Sequence, residues 1–274
     1  MPAVDTRTFL DLATELAREA GKLALERRKT LRPARAKGVK DLVTEADIEC
    51  DRLIRARVEA AFPGHDLLTE EEGALDHGSE YRWIVDPIDG TVNYSRGLPL
   101  WGNSIALTYH GATLCGAIYL PVFDEMFTVA AGEGAFLNGA RIHVSDITDP
   151  DALILSHGDY NVGPDHPTRL ALNADNYAAH ARLAEGALRV KCLGSSVVEG
   201  SYVASGRLDG YFMTTLKPWD VAVTTLLVAE AGGRVTELSG APWTLESRTA
   251  LFSNGAAHDA LVRALDWNGR RGNP

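Results

Sequence analysis

Two carboxylates three residues apart, Asp86 and Asp89 in Trp83-Ile84-Val85-Asp86-Pro87-Ile88-Asp89-Gly90-Thr91, are the residues of this sequence best placed to do chemistry. An apolar, β-prone run of Tyr81, Trp83, Ile84 and Val85 ends at the first acid, Pro87 restricts the backbone, and the second acid precedes Gly90 and Thr91. The pattern predicts a strand that delivers two acids to a turn. Held that close, two carboxylates repel unless a cation sits between them, and their hard oxygens suit magnesium or calcium. Gly90 lets the backbone approach a ligand, and successive amides entering a helix make an anion-binding concavity. A cation beside an anion cradle points to phosphate chemistry. Taken alone, the same stretch reads as a turn capped by Asp86 with Asp89-Gly90 at its corner, so partners elsewhere in the chain must decide.

Three further acids stand where elements begin or end. In Leu42-Val43-Thr44-Glu45-Ala46-Asp47, the Thr44/Asp47 pair reads as a capping box opening a helix that carries Ile48, Leu53, Ile54 and Val58 to Pro63-Gly64. Asp66-Leu67-Leu68-Thr69 is a short strand running into Glu70-Glu71-Glu72; as a charge run this is solvated surface, but two successive strands ending in acids can bring Glu70 beside Asp86. Asp220, after Trp219, lies in the first turn of a helix closed by Gly232-Gly233, where the helix dipole favours an acid with no metal present.

The rest of the chain supplies the frame. Phe9, Leu12, Ala13, Leu16, Ala20 and Leu23 recur at helical spacing over 6–28, and the basic stretch to Lys40, broken by Pro33 and Gly38, reads as a solvated loop whose lysines could reach an anionic substrate. Strands over 104–109, 113–119 and 125–130, separated by Gly-rich turns, predict an antiparallel meander. Strands over 152–156, 188–194 and 208–212 then alternate with helices over 167–185 and from Ser195-Ser196, with Glu199 assisting the cap, to Gly206. Strands over 234–238 and 250–253 and a helix over 257–265 complete the chain.

The 274 residues, 45% hydrophobic and 23% charged, describe an ordinary globular protein of one large domain or two smaller ones. A net charge of −10 disfavours nucleic-acid binding and leaves room for a cation-loaded acidic site. Cys50, Cys115 and Cys192 are odd in number and widely spaced, and read as reduced, packed thiols. With no apolar leader at the N-terminus and no apolar run of membrane-spanning length, the expected location is the cytoplasm.

Together, Asp47, Glu70, Asp86, Asp89, Thr91 and Asp220 form a pattern hard to reach by chance. With Asp41-Leu42-Val43-Thr44-Glu45-Ala46-Asp47, the W-x-x-D-P-x-D-G-T block followed by Asn93-Tyr94, Gly194-Ser195-Ser196, and Trp219-Asp220-Val221-Ala222 followed by Glu230-Ala231-Gly232-Gly233, the sequence resembles the inositol monophosphatase family of magnesium-dependent, lithium-sensitive phosphatases over nearly its whole length.

The resemblance implies an α/β fold, a layered α/β/α/β/α sandwich of the inositol monophosphatase and fructose-1,6-bisphosphatase type. Residues 1–145 would carry the N-terminal helices, the antiparallel sheet and most metal ligands, and 146–274 an α/β half contributing Asp220, as one compact unit. Glu70, Asp86 and the Ile88 carbonyl would hold one Mg2+, Asp86, Asp89 and Asp220 a second, and Glu70 with waters a third. The Gly90 and Thr91 amides would cradle the phosphate, while Thr91, hydrogen-bonded to Asp47, would orient and help deprotonate the attacking water. Glu70, Thr91 and Asp47 are thus the expected catalytic residues. Asp89, Gly90, Thr91, Gly194, Ser195, Ser196, Met213 and Asp220 are the expected substrate contacts, and a homodimer is expected by analogy.

Three places depart from the pattern or sit ambiguously in it. Members that hydrolyse inositol phosphate usually carry a glutamate seven residues before the W-D aspartate; here that residue is Met213, whose thioether accepts hydroxyl hydrogen bonds poorly. The stretch Leu98-Pro99-Leu100-Trp101-Gly102-Asn103-Ser104 is partly similar to the histidinol-phosphate branch, and Trp101 reads as core or as substrate wall. His157, Asp159, Tyr160 and His166 fall in an atypical polar loop that reads as a solvated turn first and as a ligand-facing lid second. The expected activity is Mg-dependent hydrolysis of a small polyol or cyclitol phosphate, inositol monophosphate first. Histidinol-phosphate, fructose-1,6-bisphosphate and nucleotide 3'-phosphate hydrolysis are the alternatives within the fold, and a silent metal- or phosphate-binding regulator the alternative outside it.

Overall fold

A computed structural model of the chain describes residues 6–29, 35–38, 41–160, 162–163 and 165–267. The first helix, α1 (Thr6–Arg28), buries Phe9, Leu16 and a stripe of small residues, Ala13, Ala17, Ala20 and Ala24, which lets it lie close on the sheet beneath. Two short antiparallel strands follow, β1 (Arg35–Gly38) and β2 (Asp41–Val43). They replace part of the expected loop; its residues 30–34 and 39–40 lie outside the described ones. Helix α2 (Glu45–Ala61) starts at the predicted capping box, in which the Asp47 carboxylate accepts from the Thr44 amide at 2.8 Å.

The first sheet is built from β3 (Asp66–Thr69), β4 (Gly73–Leu75), β5 (Tyr81–Asp89), β6 (Gly102–Tyr109), β7 (Ala112–Leu120), β8 (Glu125–Ala130), β9 (Gly134–Leu137) and β10 (Ala140–Arg141), with the short helix α3 (Thr91–Ser95) after β5. Its order is β10-β9-β8-β7-β6-β5-β3-β4, antiparallel except where β3 pairs parallel with β5. The meander is as expected; β4, β9 and β10 extend it, being too short to show periodicity. Strand β5 pairs Asp86 with Ser104 and then slips before Asp89 meets Gly102. Pro87 has no amide to give the ladder, so the irregularity falls between the two acids and re-aims the strand end.

The second half supplies a single 3-10 turn (Pro150–Ala152), β11 (Ile154–His157), α4 (His166–Gly186), β12 (Arg189–Lys191), α5 (Ser196–Ala204), β13 (Gly210–Met213), α6 (Pro218–Glu230), β14 (Arg234–Thr236), β15 (Ala250–Ser253) and α7 (His258–Leu265). The strands form one sheet, β12-β11-β13-β15-β14, parallel across β12, β11 and β13 and antiparallel at β15. The expected strand over 188–194 shrinks to Arg189–Lys191, because Leu193 and Gly194 turn to meet α5.

Three apolar cores mark the layers. One lies between α1–α2 and the first sheet, a second between the other face of that sheet, α5–α6 and the second sheet, and a third between the second sheet and α4–α7. Trp101 is fully buried, edge-on to Tyr94 with ring centres 4.9 Å apart, so it is core rather than substrate wall. Cys50 and Cys115 are packed thiols, but Cys192 is exposed, a correction that follows from the early end of β12. His157 is buried rather than solvated, its imidazole held between the Gly158 carbonyl at 2.7 Å and His180 at 2.9 Å. Among the described residues, no helix is long and apolar enough to cross a membrane.

Candidate active site

The end of β5 and the first turn of α6 converge. Oxygens of Asp86, Asp89 and Asp220 all lie within 4.8 Å of one another. Asp86 is buried and its Oδ1 has no hydrogen-bond partner. An unpaired buried carboxylate oxygen is costly unless a cation meets it. The charges respond accordingly: burial first, then Glu70, Asp89, Asp220 and Asp47, push Asp86 well above the usual carboxylate range. Burial and the charge of Asp89 push Asp220 up to about 8, against the opposing hydrogen bond from the Lys217 amide at 2.6 Å. All the donors of this group are carboxylate oxygens, with no His or Cys, which fits a hard divalent cation of the magnesium or calcium class.

Glu70 stands beside this trio rather than within its tight group, half-buried, its charge acting on Asp86 and Asp220. Its amide donates to Val85 O at 3.2 Å, so β5 positions it directly. The turn is held from the other side by buried Asp51, whose Oδ2 accepts from the Glu71 and Glu72 amides at 3.1 and 3.3 Å. Sequence reasoning missed Asp51, which sits on α2 among apolar positions and carries no local signal beyond being an acid there.

Thr91 opens α3 with its hydroxyl 3.1 Å from Asp47 Oδ1 and 3.1 Å from Ile88 O. Both neighbours are acceptors and a hydroxyl has one proton, so Thr91 donates inward and keeps its lone pairs for a proton from outside. Asp47 therefore both caps α2 and backs Thr91. Burial is the main influence on it and raises its pKa, opposed by the hydrogen bonds from Thr44 and Thr91.

The wall facing these residues is the 193–197 segment. Gly90 has φ +86°, and a Cβ there would come 3.0 Å from Leu100 O and 3.1 Å from the Ser195 Cβ, so both conformation and space demand glycine. Asp89 accepts from the Ser195 hydroxyl, the Ser196 hydroxyl at 2.9 Å and the Val197 amide at 2.8 Å. Ser195 also caps α5, while Glu199, expected to assist that cap, instead accepts from the Leu193 amide at 3.0 Å. Asn93 ties the two loops together, donating to Leu100 O and Leu193 O at 2.8 Å and lying 3.2 Å from Gly194 O. Its place two residues after Thr91 was the available signal. Gly194, Ser195, Ser196, Met213, Asp89 and Asp220 line one open cavity of about 150 Å³, while Gly90, Thr91 and Asp86 lie outside its lining.

Comparison with known proteins decides what this geometry belongs to. The model of the inositol monophosphatase family matches residues 5–269. The chain belongs to the inositol monophosphatase family. An inositol-1-monophosphatase of Mesorhizobium japonicum is 36% identical over 84% of this chain and 84% of its own length. A fructose-1,6-bisphosphatase/inositol-1-monophosphatase of Thermotoga maritima is 33% identical over 94% of this chain and 95% of its own. The crystal structure of the extragenic suppressor protein suhB from Bartonella henselae superposes with a TM-score of 0.87 at 29% identity, covering 95% of this chain and 99% of that one. The fold is thus the α/β sandwich of this family, and the chain is a phosphoric monoester hydrolase of inositol monophosphatase type.

Proposed function

We propose that the protein hydrolyses a small polyol or cyclitol phosphate monoester, inositol monophosphate first among them, with magnesium at the Asp86–Asp89–Asp220 cluster. The observation that carries this is the unpartnered, buried Asp86 Oδ1 among three converging carboxylates, next to the Thr91–Asp47 pair. Glu70, Asp86 and the Ile88 carbonyl would hold one ion, Asp86, Asp89 and Asp220 another, and Glu70 a third, looser one. Magnesium, when bound, supplies Lewis acidity and positive charge for an in-line displacement at phosphorus.

The chain's own residues do the rest. Thr91 accepts a proton from the attacking water while its hydroxyl proton is drawn toward Asp47, so the pair both aims and activates that water. The amides of Gly90 and Thr91 would cradle the phosphate, and the 193–197 segment, tied by Asn93 and Asp89, would hold the other side of the site. Asp220, anchored at the start of α6, fixes the third corner. A cytoplasmic, lithium-sensitive homodimer is the accompanying expectation from the family, and the −10 net charge supports no nucleic-acid partner despite a neighbour named suhB.

Phosphate release from inositol 1-phosphate, histidinol phosphate, fructose 1,6-bisphosphate and adenosine 3',5'-bisphosphate, each with magnesium and again with excess EDTA, tests the proposal. Turnover of inositol 1-phosphate that stops with EDTA and returns with magnesium is expected. Turnover indifferent to chelation would sink it.

A further inference from the structure

The cavity beside the acidic cluster has a wall that the chemistry above leaves unused. β11 ends at His157, and exposed Asp159 follows in the cavity lining, next to the Gly158–Met213 contact that joins β11 to β13. Its Oδ1 accepts from the Cys192 thiol at 3.2 Å; Cys192 is exposed as a residue, but loss of solvation at its sulfur first, then Asp159 itself, raises the pKa of that thiol, keeping it a donor. Oδ2 has no hydrogen bond among the described residues, and it lies 3.5 Å from where a Cβ on Gly194 would sit, so it borders the Gly194–Ser195 edge of the site.

The backbone behind it is tied down. Gly158 N donates to Phe212 O at 2.9 Å. Buried Asn176 of α4 bridges the two walls, its amide nitrogen 3.4 Å from Asp159 O and its oxygen accepting from Thr214 at 2.9 Å. Glu199, fully buried, lines the same cavity with its Oε2 unpartnered. Among the described residues that line the cavity there is no Lys, Arg or His.

We propose that Asp159 reads the alcohol half of the substrate, its Oδ2 accepting from a hydroxyl or ammonium donor of the leaving group, and that the acidic wall of Asp159 and Glu199 rejects esters carrying a second phosphate. The inference rests on the function proposed above and narrows it. Met213 is a poor acceptor for such a donor. Asp159, at the end of the neighbouring strand and lining the same cavity, is a strong one, and a site that pairs with a donor discriminates against analogues lacking it. A second phosphate beside Asp159 would meet carboxylate with no Lys, Arg or His of the described lining to neutralise it.

Wild type, Asp159→Ala and Asp159→Lys, assayed with magnesium on inositol 1-phosphate, histidinol phosphate, fructose 1,6-bisphosphate and p-nitrophenyl phosphate, test this. For Asp159→Ala, kcat/KM on a donor-bearing ester relative to p-nitrophenyl phosphate falls about tenfold or more, through KM. A fall with inositol 1-phosphate assigns a hydroxyl donor, and a fall with histidinol phosphate alone assigns an ammonium. For Asp159→Lys, turnover of fructose 1,6-bisphosphate relative to inositol 1-phosphate rises. Ratios that stay within about twofold in Asp159→Ala overturn the role of Asp159 while leaving the phosphatase reading intact. A folded wild type inactive on all four esters with magnesium overturns both.

Discussion

Thr91 shows how much one hydroxyl is asked to do. It sits between two acceptors, Asp47 Oδ1 and the Ile88 carbonyl, so its proton is committed inward and its basicity faces the site. Thr91→Val keeps the shape and removes the relay. It is expected to lower kcat on the best substrate about 100-fold, the usual scale of a lost general acid–base partner, with the magnesium affinity measured by calorimetry little changed. Equal loss of magnesium binding and turnover would mean that Thr91 only supports the metal site. Asp47 was legible as a helix cap and, through the family resemblance, as a partner of Thr91; the structure shows it in both positions at once, one oxygen to each.

Elements place these residues through contacts that no local pattern announces. The turn after β3 is pinned by Asp51 from α2, across two backbone amides. Asp51→Ala leaves those two half-buried amides without their charged acceptor. It is expected to cost about 2 kcal/mol in urea unfolding and to weaken magnesium binding, because Glu70 rides on that turn. On the far side, His258 opens α7 fully buried, its ring within 2.7 Å of the Ser253 hydroxyl and 3.0 Å of the Thr236 hydroxyl. Burial first, then the charge of Arg234, pushes it down from 6.5 to about 4. The unfolded chain therefore binds a proton here that the folded chain refuses. The stability is fully present above about pH 6.5 and is lost as pH falls toward 4, by on the order of 3 kcal/mol from this residue. Urea unfolding at pH 7 and pH 4.5 should show a steeper loss in wild type than in His258→Gln; parallel losses would assign the acid lability elsewhere.

At the scale of the whole molecule, the acidic cluster joins the two halves: Asp86 and Asp89 end a strand of the first sheet, and Asp220 begins a helix packed between the sheets. Without a cation these charges repel; with one they become a cross-link that binds the folded chain alone. Magnesium at about 100 times its dissociation constant should add about 2.7 kcal/mol to unfolding. In Asp220→Asn that gain is expected to vanish, while the metal-free variant melts no lower than metal-free wild type above pH 8, where Asp220 at about 8 would otherwise be charged. A magnesium-dependent rise in melting temperature that survives in Asp220→Asn would remove Asp220 from the ligands.

The sequence alone determined the elements with strong periodicity or explicit caps, such as α1, α2 and the β6–β8 meander, and the acid-bearing blocks on which the family resemblance rests. These are short-range: a cap, a hydrophobic stripe or a D-P-x-D-G turn is written within a few residues. That Asp86, Asp89 and Asp220 meet came from the resemblance and from no local pattern, because convergence depends on sheet order and on the packing of α6 between two sheets. Tertiary packing likewise places Asp51, Asn93 and Asp159, whose partners lie 20, 100 and 33 residues away along the chain. Asp159 is exposed, as a solvated turn would have it, and β11, α4 and the Cys192 thiol also bring it into the lining of the cavity that Met213 shares.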